Sequence, residues 1–388
     1  MMENNIRECK LNYDDIAIIP EVVSTISSRS ECNPYDEDGY LPIFASCMST
    51  VVSKENIYDF EKARIRTVLP RTYTFSQRIL FQLNNQNSFI AISLNEAIDY
   101  FVNNDIFEYA LYYICTYITE NKTLRICIDL ANGHMQKLLD TIKAIKDKYG
   151  DRVIVMSGNI ANPESYKFYE EAGCDYVRLG IGGGSCCLSS SNLGLNFPYF
   201  SLLQEMYKVK REINGKCKII ADGNIRGYRD IQKALVYADY VMIGGLFNKT
   251  MESAGKTTYG KSYFNVHGYK IFRPLKTLLT YGREIKRTDF ENIYTNYVKT
   301  GKLVVWKEMF GMSTKKAQVQ INTANSITNK LKTSEGIIKH QMVEFDLQGW
   351  AENETDYLKS AMSYTNSRTL DDYKDSQWVR ITNIRYNN

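Results

Sequence analysis

Between residues 41 and 243, short apolar runs recur, each followed by a stretch whose apolar residues keep helical spacing. The runs fall at Leu41–Ser46, Thr67–Pro70, Phe89–Leu94, Arg125–Leu130, Val153–Ser157, Tyr176–Gly180, Lys218–Asp222 and Tyr240–Ile243. Helical candidates between them include Gln136–Tyr149, Pro163–Ala172, Tyr199–Ile213 and Gly227–Tyr237. Pro163 and Pro198 sit where a first helical turn tolerates proline. This alternation belongs to α/β folds, and two layouts compete: a closed (β/α)8 barrel and a doubly wound open sheet. The number of units favours the barrel. So does the placement of unusual residues at or just past strand ends: Cys47-Met48, Arg71-Thr72, Asp129, Asn159, Gly182–Ser189, Asp222-Gly223 and Gly244-Gly245. A barrel would gather these on its C-terminal face, where such folds build their sites. The expected fold is therefore a TIM barrel in one domain over residues 1–388. It carries an ordered N-terminal arm and an inserted excursion over 256–309, after strand eight.

One stretch concentrates chemistry: Gly180-Ile181-Gly182-Gly183-Gly184-Ser185-Cys186-Cys187-Leu188-Ser189. Four glycines in five residues free the backbone to turn and to aim several amides at one spot. A thiol and a hydroxyl follow the turn.

Composition excludes several classes. With 388 residues, 44% hydrophobic and 24% charged, the chain has the balance of a soluble globular protein. A net charge of +4 does not call for nucleic acid or an anionic membrane. No run is long enough to cross a bilayer, and the opening Met1-Met2-Glu3-Asn4-Asn5 is polar. Nine scattered cysteines without a Cys-x-x-Cys pair read as reduced cytoplasmic thiols, and zinc is not expected. The excursion interleaves Lys, Arg and Tyr without a visible stacking motif, so a solvated segment or subunit contact is favoured over a nucleic-acid site.

Several segments carry a family resemblance. Gly184-Ser185-Cys186-Cys187-Leu188-Ser189 is similar to a Gly-Ser-x-Cys-x-Thr cysteine loop, with Cys187 in register with the nucleophile. Asp222-Gly223-Asn224 resembles Asp-Gly-Gly, and Ile243-Gly244-Gly245-Leu246-Phe247 resembles a second phosphate turn. Phe310-Gly311-Met312-Ser313 resembles Tyr-Gly-Met-Ser, and Met48-Ser49-Thr50-Val51 resembles Met-Asp-Thr-Val. Asp129-Leu130-Ala131-Asn132-Gly133 resembles Asp-Val-Ala-Asn-Gly. Together these resemble the IMP dehydrogenase/GMP reductase family, from Leu11 to about Asn383 apart from 256–309. The reductase branch is the better match. Between Pro70 and Phe89 there is no room for the regulatory CBS pair of the dehydrogenases. The tract from Thr314 to Thr333 lacks their Arg-Tyr pair, whereas Ser334-Glu335-Gly336 resembles the reductase Ser-Glu-Gly.

The resemblance implies NADPH-dependent reductive deamination of GMP, or a related guanine nucleotide, to IMP and ammonia through a covalent cysteine intermediate. It makes Cys187 the nucleophile, Glu335 the proton-transfer residue and Ser189 its hydroxyl partner. Ser185, Gly223, Asn224, Gly244 and Gly245 would cradle the phosphate, and Asp222 would take the ribose. Met312, Ser313, Lys332 and Gly336 would complete the nucleotide site. Asp129, Asn132, Gly133, Asn159 and Gly180 fall to the cofactor, and the carbonyls of Gly182, Gly184 and Cys187 to a monovalent cation such as potassium. A homotetramer is implied as well. This chain departs from the family pattern at Ser189, Asn224, Ser49, Phe310 and Lys332, which replace Thr, Gly, Asp, Tyr and Arg. Two alternatives stand beside the reductase: an NAD-dependent IMP dehydrogenase without CBS modules, and an inactive purine-nucleotide-binding protein.

Overall fold

The computed structural model describes residues 9–113, 123–184, 186, 188–260, 264–266, 269–271, 304–326, 328, 330–334 and 336–381. The N-terminal arm contributes β1 (Ile16–Ile18). The eight apolar runs then form β2 (Ile43–Ala45), β3 (Arg66–Leu69), β4 (Phe89–Ile92), β5 (Leu124–Asp129), β6 (Val153–Ile160), β7 (Tyr176–Leu179), β8 (Lys218–Asp222) and β9 (Tyr240–Ile243). All are parallel, and β9 pairs back onto β2 through Ile43↔Val241 and Ala45↔Ile243. That closing ladder decides for the (β/α)8 barrel over the open sheet. β6 runs to Ile160, past the expected end at Ser157, because a bulge between Gly158 and Ile160 lets it keep pairing with β7.

The barrel interior is filled, not hollow. Phe44, Phe89, Tyr176 and Tyr240 meet mostly edge-to-face, with centroids 5.3 Å apart for Phe44–Tyr240 and 5.5 Å for Phe44–Phe89. Burying each such ring contributes about 1.5–3 kcal/mol. Cys47, Cys127 and Met156 continue this inner cluster, and a larger apolar layer packs between strands and helices. Polar side chains gather at the C-terminal mouth.

Gln136–Tyr149 is helical as expected, and Ser165–Glu171, Tyr199–Glu212 and Tyr228–Leu235 fall inside their expected ranges. Past the barrel, β10 (Thr257–Gly260) opens the excursion, β11 (Phe264–Val266) and β12 (Tyr269–Ile271) form a hairpin, and β13 (Val304–Phe310) returns. β13 pairs antiparallel with β10 and with β14 (Ile338–Met342), so the excursion leaves and re-enters through one three-stranded sheet. The tract between β13 and β14 reads as merely polar, yet it holds a helix, Lys315–Ala324, whose N-cap Thr314 accepts from Ala317 N. The last long helix runs over Leu347–Tyr364, and Asp346 caps its start by accepting from Gly349 N. β15 (Trp378–Arg380) pairs with β1 and ties the C-terminal segment to the arm. No helix among the described residues is long and apolar enough to cross a membrane.

Candidate active site

Strand alternation sends Arg178 on β7 into the mouth, between the carboxylates that end β5 and β8. Its Nη1 donates to Asp129 Oδ1 at 3.0 Å, and its Nε and Nη2 donate to Asp222 Oδ2 at 3.1 and 2.8 Å. Asn159 Nδ2 donates to the same Asp222 oxygen at 2.8 Å and to Gly180 O at 3.0 Å. Arg71, just past β3, lies 3.4 Å from Asp129 Oδ2. Burial alone would raise the Asp129 carboxyl, but Arg71 and Arg178 outweigh it and hold it below its ordinary range. Burial likewise opposes the Arg178 charge, and Asp222 foremost among its anionic neighbours keeps it protonated. The thiols beneath this layer behave oppositely. Burial pushes Cys127 up to about 11 despite Arg178, and burial with Asp129 pushes Cys47 well above the ordinary thiol value. Neither is a thiolate at neutral pH, so neither is a ready nucleophile.

Tyr199 supports the glycine turn from behind. A Cβ at Gly183 would sit 2.1 Å from Tyr199 Oη and 2.3 Å from Cζ, and one at Gly180 would sit 2.4 Å from Cε1. At 180 and 183 a buried ring thus fills the space that a side chain would need. Gly180 and Gly182 also have φ of +116 and +79, which glycine adopts without strain. Gly183 O accepts from Asn224 N at 3.0 Å, fastening the turn to the end of β8. Asn224 has φ +58, so the family's glycine is replaced here by a residue type that also tolerates the left-handed region. Gly244 packs against Met48, with a Cβ site 2.7 Å from Sδ, and Gly245 starts the short helix Gly245–Asn248.

The remaining segments are stitched to this turn by backbone. Cys186 is buried, and its carbonyl accepts from Ile337 N at 3.1 Å. A Cβ at Gly336 would lie 2.9 Å from that carbonyl oxygen and from Thr314 Cγ2. Gln318 donates to Ser313 O and Lys332 O and accepts from Lys332 N at 2.7 Å, while the Lys332 side chain is exposed. Met312 and Ser313 are half-buried on the same loop. Ser49 donates to Gln320 Oε1 at 3.0 Å, joining the end of β2 to the helix after β13. Ser185, Cys187 and Glu335 lie outside the described residues, and so does the Ser189 side chain. Of the three carbonyls expected to hold a cation, those of Gly182 and Gly184 belong to described residues and that of Cys187 does not.

Beyond β5, Asn132 Oδ1 accepts from His134 N, and Gly133 N donates to Asn159 O at 2.9 Å. A Cβ at Gly133 would meet that oxygen at 2.7 Å. His134 Nε2 accepts from Ala161 N, so this loop braces the β6 end that carries Asn159. Sequence reasoning assigned no role to Arg178, Arg71 or Tyr199. A cation inside the apolar run Tyr176–Gly180 was the one available signal for Arg178, since a strand facing a packed interior has no place for an unpaired charge.

Residues 115–301 match the family model described as the IMP dehydrogenase / GMP reductase domain. The GMP reductase of Onchocerca volvulus is 30% identical over 263 residues, spanning 64% of this chain and 69% of that protein. That of Buchnera aphidicola subsp. Acyrthosiphon pisum is 27% identical over 271 residues, 66% of this chain and 73% of the relative. That of Streptococcus pyogenes serotype M5 is 29% identical over 287 residues, 68% of this chain and 83% of the relative. With the closed barrel and the joined loops at its mouth, these matches lead to one conclusion: the chain belongs to the IMP dehydrogenase/GMP reductase family.

Proposed function

We propose that this protein is a GMP reductase, converting GMP and NADPH to IMP, ammonia and NADP+. The observation that carries the reading is the backbone stitching at the mouth. Gly183 O to Asn224 N and Cys186 O to Ile337 N join the glycine turn to the end of β8 and to the Ser334–Gly336 segment. Relatives named GMP reductase support the choice of branch.

In this reading the Cys187 thiolate adds to C2 of the purine, and the C2–N bond breaks with Glu335 delivering the proton that ammonia takes away. Ser189 orients that transfer. The amides around Ser185, Gly223, Asn224, Gly244 and Gly245 bind the phosphate, and Asp222 accepts from the ribose hydroxyls. Met312, Ser313, Lys332 and Gly336 border the base. The residues at Asp129 suit a nicotinamide riboside, which needs both acceptors and donors: the carboxylate accepts, and Arg71 Nε is buried without a hydrogen-bond partner among the described residues. Asn132, Gly133, Asn159 and Gly180 extend that side. When bound there, a reduced nicotinamide would supply hydride for C2, and the role of Cys187 would be to leave that carbon as thiolate so that IMP is released. Four such chains would form the tetramer implied by the resemblance.

The test mixes purified protein with GMP and NADPH and follows the absorbance of reduced nicotinamide together with free ammonia. One ammonia per NADPH oxidised is expected, with loss of at least about a thousandfold in Cys187→Ala. No oxidation, or reduction of NAD+ with IMP instead, refutes the assignment.

A further inference from the structure

One guanidinium serves two carboxylates on different strands. Arg178 is 7% exposed, and its rigid plane puts Nε and Nη2 on Asp222 and Nη1 on Asp129. Nη1 also lies 3.2 Å from Cys127 Sγ, so buried groups surround the fork. Among the described residues, every hydrogen bond to the Asp222 carboxylate ends on Oδ2, leaving Oδ1 for a donor from outside the chain. Asp129 is likewise held on one side, with Oδ1 on Arg178, while Oδ2 lies 3.4 Å from Arg71 and the Cys47 thiol also bonds the carboxylate. We propose that Arg178 is a positioning residue that holds Asp129 and Asp222 in one frame, so that the nucleotide and cofactor subsites are aligned together. This rests on the reading above, in which Asp222 meets the ribose and Asp129 the cofactor. Because the guanidinium is planar, neither carboxylate can rotate without turning the other's donor. A lysine would keep the charge but lose that two-sided geometry.

The test measures, by calorimetry, the separate dissociation constants of GMP and NADPH for the wild type, Arg178→Lys, Asp129→Asn and Asp222→Asn, with thermal unfolding of each. Arg178→Lys is expected to weaken both ligands at least fivefold while its unfolding midpoint stays within a few degrees. Each aspartate variant is expected to weaken the other subsite's ligand at least threefold, beyond its own. These cross-effects decide the matter if Arg178→Lys does not fold. A folded Arg178→Lys that binds either ligand as the wild type does, or aspartate variants whose effects stay confined to their own ligand, overturns the proposal. If the wild type binds both ligands without turnover, the reductase reading fails and the same constants still judge Arg178. If it binds neither, both fall.

Discussion

Gly183→Ala tests whether the glycine turn is shaped by the ring behind it. The new methyl would lie 2.3 Å from Tyr199 Cζ, where carbon–carbon contact wants about 3.5 Å, so ring or turn must move by about 1 Å. The ring cannot swing away. It is 3% exposed, lies against the Gly180 Cβ position as well, and begins a helix whose first amide donates to Asn12 Oδ1 at 3.1 Å. Overpacking of this kind costs about 1–3 kcal/mol. At about 2 °C per kcal/mol for a chain of this size, the midpoint should fall by about 2–6 °C. The larger effect falls on catalysis, because the turn carries the loop of Cys187 and a misplacement of about 1 Å is worth about a hundredfold in rate. Thermal unfolding and steady-state NADPH oxidation read the two effects on one preparation. A variant with kcat/KM within twofold of wild type and an unchanged midpoint would refute the packing argument.

Other positions give sharper contrasts. Gly311→Ala meets nothing within 4 Å, so its midpoint should stay within about 1 °C. Its KM for GMP should nevertheless rise if the base passes over that loop, as steady-state kinetics would show. Asn224→Gly should be neutral to within a few tenths of a kcal/mol, whereas Asn224→Ala, forced to φ +58, should lose about 1 kcal/mol in denaturant titration. Glu354 is fully buried, and burial raises its pKa well above the ordinary value despite the Gln232 side chain beside it. Above about pH 4.5 the unfolded chain sheds this proton while the folded one keeps it, so stability declines as pH rises toward the folded value. Glu354→Met should therefore gain about 1–3 kcal/mol at pH 7 and less at pH 4, measured by urea unfolding at both. An equal gain at the two pH values would show that the carboxyl is not buried in its neutral form.

The eight barrel strands were legible in the chain because a strand buried on both faces must be apolar throughout, and each run was bounded by polar or turn residues. The strand-end residues at 129, 159 and 222 were legible for a related reason: they interrupt apolar runs with polar groups that packed interiors exclude unless paired. The pairing of β2 with β9 was not, since no local property of Ile43 specifies Val241 as its neighbour. The Arg178 bridge likewise joins residues 49 and 44 positions apart, and only the parallel pairing of β5 through β8 brings them together. The glycines showed where the backbone is released but not why at 180 and 183; the Tyr199 ring, from the helix Tyr199–Glu212, made that choice. The polar tract after β13 hid a helix because its burial comes from the loops it touches, with Ala317 as its buried residue. Periodicity thus determined the elements, which depend on neighbours a few residues away. The site depends on contacts between elements distant in the chain, and those exist only once the barrel strands have paired.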